Sequence, residues 1–212
     1  MLEQSAKTPV AKVLATSLVC AGYYLGGAIA CTLKFEPGGI SGIWLPHGIL
    51  LAALLLSPLR LWWLYVVALV PTHLHLVRTF QGPVPLVVML IQLGGNVTQA
   101  VVPAAVLRRS LGDSPRLSTL SRMGALILIG AFLAPCLVSA GVASLFVITH
   151  WVGDFWIAWQ RRTFCVMSAA VIVIAPIIHL VTGDFAAIRR ASRHHIAEFS
   201  LLSIGLLLVL RF

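Results

Sequence analysis

Two amides within one apolar stretch are the residues best placed for polar chemistry in a hydrophobic surrounding. Asn96 and Gln99 are three positions apart, so they share one face of a helix. Ser139, in the next apolar stretch, is expected at a depth from which it meets them. Leaving such groups unpaired in lipid is costly, so they either bond between helices or bind a polar ligand. Both interpretations stay open at this point.

Histidines form a second candidate group, because imidazole suits zinc, copper or haem iron. They fall near the ends of apolar stretches, but His73 and His75 point about 200° apart on a regular helix. Interfacial histidines without a metal are therefore the alternative interpretation. The candidate metal ligands are His47, His73, His75 and His150.

A third candidate is the start of the second apolar stretch, where a proline and a glycine follow a tryptophan. Proline suits the first turn of a helix, and glycine allows close helix approach. One interpretation is an interfacial tryptophan and an ordinary helix start. The other is a broken helix whose freed backbone groups line a ligand pocket. The candidate ligand-binding or packing residues are Trp44, Pro46, His47, Gly48, His73, Asn96, Gln99, Pro135 and Ser139.

Charged groups are expected only at the ends of the apolar stretches or outside them. The chain has six acidic residues, and no lysine or arginine is expected in the middle of a stretch. Proton- or sodium-coupled transport usually needs such a group, so a small-solute carrier is disfavoured. The lysines, at positions 7, 12 and 34, do not suit a retinal pigment.

Nothing in the chain suggests catalysis, since neither a nucleophile–base pair nor a phosphate-binding glycine loop is found. The protein is therefore expected not to be an enzyme. The four cysteines match no CxxC motif. A bridge between Cys31 and Cys165 and simple packing are the two interpretations of that pair.

The elements that position these residues are apolar helices. Hydrophobic residues make up 59% of the 212, charged residues 10%, and mean hydropathy is +1.00. A soluble domain averages about a quarter charged residues. We predict an all-α, polytopic transmembrane bundle of about seven spans, forming one domain over residues 1–212, with an eighth span missing. The stretches are Val10–Leu33, Gly42–Ser57, Leu61–Val77, Val84–Leu107, Leu120–Thr149, Phe164–Thr182 and Ile196–Leu210.

Two expectations concern the arrangement of these stretches. The second and third are separated by three residues, so they predict a tight helical hairpin or a re-entrant pair. Basic residues indicate the orientation, because cytoplasmic loops are enriched in them. A cytoplasmic N-terminus places ten of the 15 lysines and arginines on the cytoplasmic side. The net charge of +9 reflects this bias, and nucleic-acid binding is disfavoured because the charges are scattered.

Three short segments carry a family resemblance. Ser41–Gly48 reads SGIWLPHG, Gly95–Ala100 reads GNVTQA and Ala134–Ala140 reads APCLVSA. In this order they resemble the bacterial membrane-associated sensor domains of the first MASE type, over about residues 40–180. Gln99 departs from that pattern, which has an acid there. Further matches are Arg60, Trp62, Leu107–Arg109, the aromatic residues Trp151, Phe155, Trp156 and Trp159, and Pro176.

The resemblance implies a sensory input domain in the bacterial inner membrane. Such domains precede cytoplasmic output domains, such as the histidine kinases of two-component systems or cyclic-dinucleotide enzymes. This chain has no output motif, so the expected partners are the lipid bilayer, an output domain or partner membrane protein, and a second copy of the chain. A small ligand is expected between the helices, and no cofactor is assigned. The alternatives are a structural or assembly subunit of a larger membrane complex and, less favoured, a small-solute transporter.

Overall fold

Six helices form a bundle in the computed structural model, which describes residues 8–35, 40–112 and 120–182. The predicted last stretch, Ile196–Leu210, lies outside the described residues. Helix α5 consists of three consecutive segments, Leu120–Ala125, Leu126–Leu133 and Ala134–Ile148. The other helices are α1 (Pro9–Thr32), α2 (Leu45–Leu56), α3 (Trp62–Phe80), α4 (Leu86–Leu111) and α6 (Phe155–Thr182).

The described helices confirm the all-α class but not the number of spans. Four of them, α1, α4, α5 and α6, are long and apolar enough to cross a membrane. Helix α2 has 12 residues and is about 18 Å long, against about 30 Å for the hydrocarbon core. Helix α3 has 19 residues but contains two histidines and an arginine, and it is not among the four. The described residues therefore support four spans, and the prediction of about seven is not confirmed.

A two-residue strand pair follows α1 and leads toward α2. Lys34–Phe35 and Ile40–Ser41 pair in antiparallel fashion, with Lys34 opposite Ser41. Trp44 then begins the approach to α2, and its backbone N–H donates to the carbonyl of Cys165 in α6 at 3.1 Å. The strand pair thus lies directly before the point at which the chain contacts α6 and begins α2.

The predicted tight hairpin of α2 and α3 is only partly correct. Their connection is short, and it is held by the Trp62 indole N–H, which donates to the Leu54 carbonyl at 3.0 Å. However, α2 packs mainly on α6, α1 and α4, whereas α3 packs mainly on α1. Two glycines of α1 let both helices approach it closely. A Cβ on Gly26 would lie 2.8 Å from Ile49 of α2, and Gly27 sits directly against Leu76 of α3.

Helix α6 begins nine residues earlier than the apolar stretch that predicted it. Its first turn is capped by Asp154, whose carboxylate accepts the N–H of Ile157 at 2.8 Å. The rings of Phe155 and Trp159 are stacked 6.5 Å apart on the same turn. Hydropathy alone missed this segment, because Arg161 and Arg162 interrupt the apolar run. Both arginines, predicted to lie in a connector, are helical.

Helix α5 changes its winding before a proline. Residues Leu126–Leu133 are π-helical, and the backbone N–H of Ala134 donates to the carbonyl of Ile129, five residues back. Pro135 follows and has no N–H to donate, so the preceding turn cannot keep a regular α-helical ladder. π-helical turns of this kind are frequent at functional sites. Gly130, inside this segment, faces α2 at Leu51.

Contacts between the helices also fix their relative directions. Helices α1 and α2 run antiparallel, since Gly22 lies next to Ile49 and Gly26 next to Leu45. Helices α4 and α5 run antiparallel as well, because Gly95 faces Val142 whereas Gln99 bonds to the Pro135 carbonyl. Within the described chain, these pairs have the alternation that successive crossings would require.

Candidate functional site

A tyrosine, a histidine and an asparagine form the first half of a buried polar network. Tyr23 of α1 accepts a hydrogen bond from the Asn96 amide of α4 at 3.0 Å, and its hydroxyl lies 3.0 Å from Nδ1 of His73 in α3. Tyr23 and His73 are fully buried. A buried tyrosine O–H needs an acceptor, and Nδ1 of His73 is within reach. The tautomer with the histidine proton on Nε2 therefore satisfies both groups, whereas in the other tautomer Nδ1–H donates to the tyrosine oxygen.

An arginine and a glutamine form the second half. Nη2 of Arg162 in α6 donates to Oδ1 of Asn96 at 3.0 Å and to Oε1 of Gln99 at 3.2 Å. Gln99 in turn donates from Nε2 to the Ser139 hydroxyl of α5 at 3.0 Å, with the Pro135 carbonyl at 3.4 Å. Since an arginine only donates, it fixes the orientation of both amides. The network thus joins five of the six described helices.

Arg162 is a candidate site residue that the sequence analysis did not include. The prediction that Arg162 lies in a connector is wrong, because α6 starts at Phe155 and carries Arg162 into the bundle. Gly95 makes this approach feasible, since a Cβ there would lie 2.8 Å from Nη2 of Arg162. The sequence does contain a signal for this earlier helix start: Asp154, a residue type that caps helix N-termini, precedes an aromatic run. An arginine inside the bundle removes one reason for disfavouring a small-solute carrier.

The charge of Arg162 has no carboxylate partner in the described part of the chain. Asp154 is the one acidic residue there, and it caps α6 instead. The guanidinium is balanced only by the neutral amide oxygens of Asn96 and Gln99. A charged group within an apolar bundle is costly, and it normally pairs with an opposite charge or faces a polar ligand. This arrangement therefore needs a further explanation.

Several buried polar atoms beside the network lack hydrogen-bond partners. They include both ring nitrogens of His47, Nε2 of His73, Nε of Arg162 and Nε1 of Trp44. His47, in α2, is fully buried, and its electrostatic neighbours are Arg162 and the Gly130 backbone, although neither gives it a hydrogen bond of good geometry. Buried polar groups are nearly always paired, so this cluster is unusual.

The remaining candidates from the sequence take structural positions. Pro46 is buried in the first turn of α2. Gly48 lies against the backbone of α6, because a Cβ there would be 2.9 Å from the Ala169 carbonyl. No disulfide joins Cys31 and Cys165, so the bridge considered for them is not formed here.

The four candidate metal ligands lie in different surroundings. His75 packs its ring against Tyr24, with the ring centroids 5.6 Å apart, whereas His150 adopts a positive φ of 55° in the turn after α5. Among residues 8–35, 40–112 and 120–182, no group of three or more His, Cys, Asp and Glu side chains is arranged to hold a metal ion. His47 and His73 are instead part of the cluster around Arg162.

The comparison with protein families finds a match over nearly the whole chain. Residues 13–212 match the model of the family described as MASE1. This range contains every residue of the polar network, from Tyr23 to Arg162. No curated protein and no solved structure matches the chain. The family match and the interhelical network therefore cover the same part of the chain.

Proposed function

The chain belongs to the MASE1 family of membrane sensory domains, and on that premise we propose that it is the input domain of a bacterial signal-transduction protein. A stimulus binds within the helix bundle, and the resulting change in packing passes to a cytoplasmic output domain. That output domain belongs to the same protein or to a partner chain. The observation that carries this proposal is the polar network across five helices.

The network suits a sensor because one side chain holds several helices. Arg162 links α6 to α4, Gln99 continues the link to α5, and Asn96 continues it to Tyr23 of α1. A ligand that draws Arg162 away from either amide therefore alters the bonds of at least two other helices. Differential binding to two such packings is sufficient to shift their populations. In this proposal, helix α6 transmits the change in packing from the network to the output domain.

In this proposal the protein is a multi-pass protein of the bacterial inner membrane with a cytoplasmic N-terminus. The bias of basic residues and the alternating helix directions support that arrangement. Its partners are the lipid bilayer, the output domain and, in signalling, a second copy of the chain. A histidine kinase of a two-component system and a cyclic-dinucleotide enzyme are the output domains we consider.

A chimera tests this proposal. The chain is joined at its C-terminus, through one added transmembrane helix that supplies the predicted eighth span, to the catalytic domain of a cyclic-dinucleotide synthase. Product is then measured in bacterial membranes. We expect Gln99→Leu to change output about fivefold or more, since coupling energies of 1–3 kcal/mol are typical. Val102→Leu, on the exposed face of the same helix, is the control. Equal output from both variants, the parent and an unrelated membrane anchor would reject the proposal.

A small-anion carrier is the second candidate, and Arg162 is the observation that favours it. A cation held inside a bundle is a common feature of substrate pathways. Flux of labelled anions into proteoliposomes distinguishes the two functions. The sensory proposal predicts no flux above that of empty liposomes, whereas a carrier gives saturable flux that Arg162→Gln abolishes. A structural subunit would instead co-purify stoichiometrically with a larger complex.

A further inference from the structure

Most of the unpartnered polar atoms beside the network are hydrogen-bond donors. Nε of Arg162 and Nε1 of Trp44 carry hydrogens in every state that these groups adopt. Nε2 of His73 carries one as well in the tautomer whose Nδ1 accepts the Tyr23 hydroxyl proton, and the nearby Met89 backbone gives it no hydrogen bond of good geometry. Neutral His47 adds one N–H from whichever ring nitrogen is protonated. The other His47 ring nitrogen is an acceptor. Four of these five unpartnered nitrogens can therefore donate, and such a set fits a ligand that mainly accepts hydrogen bonds.

The charge at the same place calls for a negative ligand. Arg162 faces two neutral amides and no carboxylate within residues 8–35, 40–112 and 120–182. Both buried histidines, His47 and His73, are within electrostatic range of its guanidinium. A metal cation would be repelled by this arrangement, and a neutral ligand would leave the arginine uncompensated.

These elements also lie close together in the fold. Trp44 is anchored to the carbonyl of Cys165, one helical turn beyond Arg162 on α6. His47 follows one turn later on α2, and its backbone N–H bonds to the Trp44 carbonyl at 3.3 Å. Trp44 and the start of α2, which takes no part in the network, thus lie next to the part of α6 that carries Arg162, and His47 is within electrostatic range of its guanidinium.

We propose that Arg162, His73 and His47 form a binding site for a single oxyanion, the carboxylate of a small acid or the phosphodiester of a lipid headgroup, between α2, α3 and α6. This inference rests on the proposed function, because the anion is then the stimulus that the bundle detects. The ligand oxyanion supplies the negative charge that Arg162 lacks and accepts hydrogen bonds from the unpartnered donors. Its source is either a small acid in solution or the anionic headgroup of a lipid.

The test measures thermal unfolding of the full chain in lipid nanodiscs, monitored by intrinsic fluorescence. Sodium formate, acetate, propionate and benzoate are titrated against sodium chloride at equal ionic strength. We expect the unfolding midpoint to rise with carboxylate concentration, as ligand linkage requires. Arg162→Gln should weaken the apparent affinity at least tenfold. Arg161→Gln removes the same charge from the exposed neighbouring position and should leave the affinity within twofold.

A second variant covers the case in which Arg162→Gln does not fold. Gln99→Glu places a carboxylate at the position that already contacts Arg162 at 3.2 Å. This internal anion should abolish the response to added carboxylates while keeping the arginine paired. Nanodiscs of phosphatidylcholine, with and without phosphatidylglycerol, separate the two sources. An Arg162-dependent stabilisation by phosphatidylglycerol alone identifies the headgroup as the source, and a response to soluble acids without it identifies the solute.

The inference is overturned if neither the acids nor phosphatidylglycerol stabilise the parent protein beyond chloride. It is also overturned if Arg161→Gln loses the response as fully as Arg162→Gln does. The chimera keeps this outcome separate from that of the proposed function. Output that responds to Gln99→Leu without any anion binding leaves the sensor role intact, whereas anion binding without any change in output removes that role alone.

Discussion

The guanidinium of Arg162 and the side-chain amide of Gln99 are joined by a 3.2 Å hydrogen bond between α6 and α4. The same nitrogen, Nη2, also donates to Asn96 at 3.0 Å. One cation on α6 therefore orients both amides of α4 and through them reaches α1, α3 and α5. Changes to residues that this pairing depends on should affect helices far from the altered position.

The hydroxyl of Tyr23 should be needed for the stability of the bundle. Tyr23→Phe removes the group that bonds to both Asn96 and His73 and leaves two buried polar atoms unpaired. We expect a loss of about 1–3 kcal/mol in the free energy of unfolding. Tyr24→Phe is the matched control, because the ring contacts of Tyr24 with His75 and Phe80 are retained. Denaturant unfolding in detergent micelles measures both, and equal losses would contradict the prediction.

The neighbouring glycines 94 and 95 should respond oppositely to alanine. A Cβ on Gly95 would lie 2.5 Å from Val142 and 2.8 Å from Nη2 of Arg162, whereas one on Gly94 meets nothing within 4 Å. Gly95→Ala should therefore cost about 1–3 kcal/mol through overpacking. Gly94→Ala should be neutral or stabilising by up to about 1 kcal/mol, because alanine is the better helix former. Unfolding midpoints of the two variants decide this, and matching midpoints would argue against the placement of Arg162.

Gly48 should be required for the contact between α2 and α6. A Cβ there would lie 2.8 Å from Cβ of Val173 and 2.9 Å from the carbonyl of Ala169, a backbone atom that cannot move aside. Gly48→Ala should lower the yield of folded protein in membranes and its unfolding midpoint. Gly141→Ala, at a helical position with open space, is the control. A Gly48→Ala protein as stable as this control would show that α2 does not pack here.

The turns between helices should lie on alternating sides of the membrane. Fusions of a periplasmic reporter enzyme at Gly82 and Gly153 should be active, because these turns follow α3 and α5. A fusion at Gly112, after α4, should be inactive, since a cytoplasmic N-terminus places that turn inside. Activity at Gly112 would reverse the orientation. Activity at all three sites would contradict the alternation itself.

Much of this molecule could be predicted from its sequence. Apolar stretches located five of the six described helices to within a few residues, because burying the backbone in lipid demands helices of that length and composition. The three-residue spacing placed Asn96 and Gln99 on one helix face. The motifs from Ser41 to Ala140 indicated the sensory family that residues 13–212 match.

Only the tertiary structure placed Arg162 in the bundle and chose the partners of α2. Hydropathy could not position the start of α6, because that boundary depends on the Asp154 cap and on aromatic contacts rather than on the apolar run. Arg162 is held by residues more than 60 positions away, and Gly48 by Ala169 and Val173, more than 100 positions away. Local patterns set which segments become helices. Which faces meet is decided by interhelical packing and hydrogen bonding, which no local window contains.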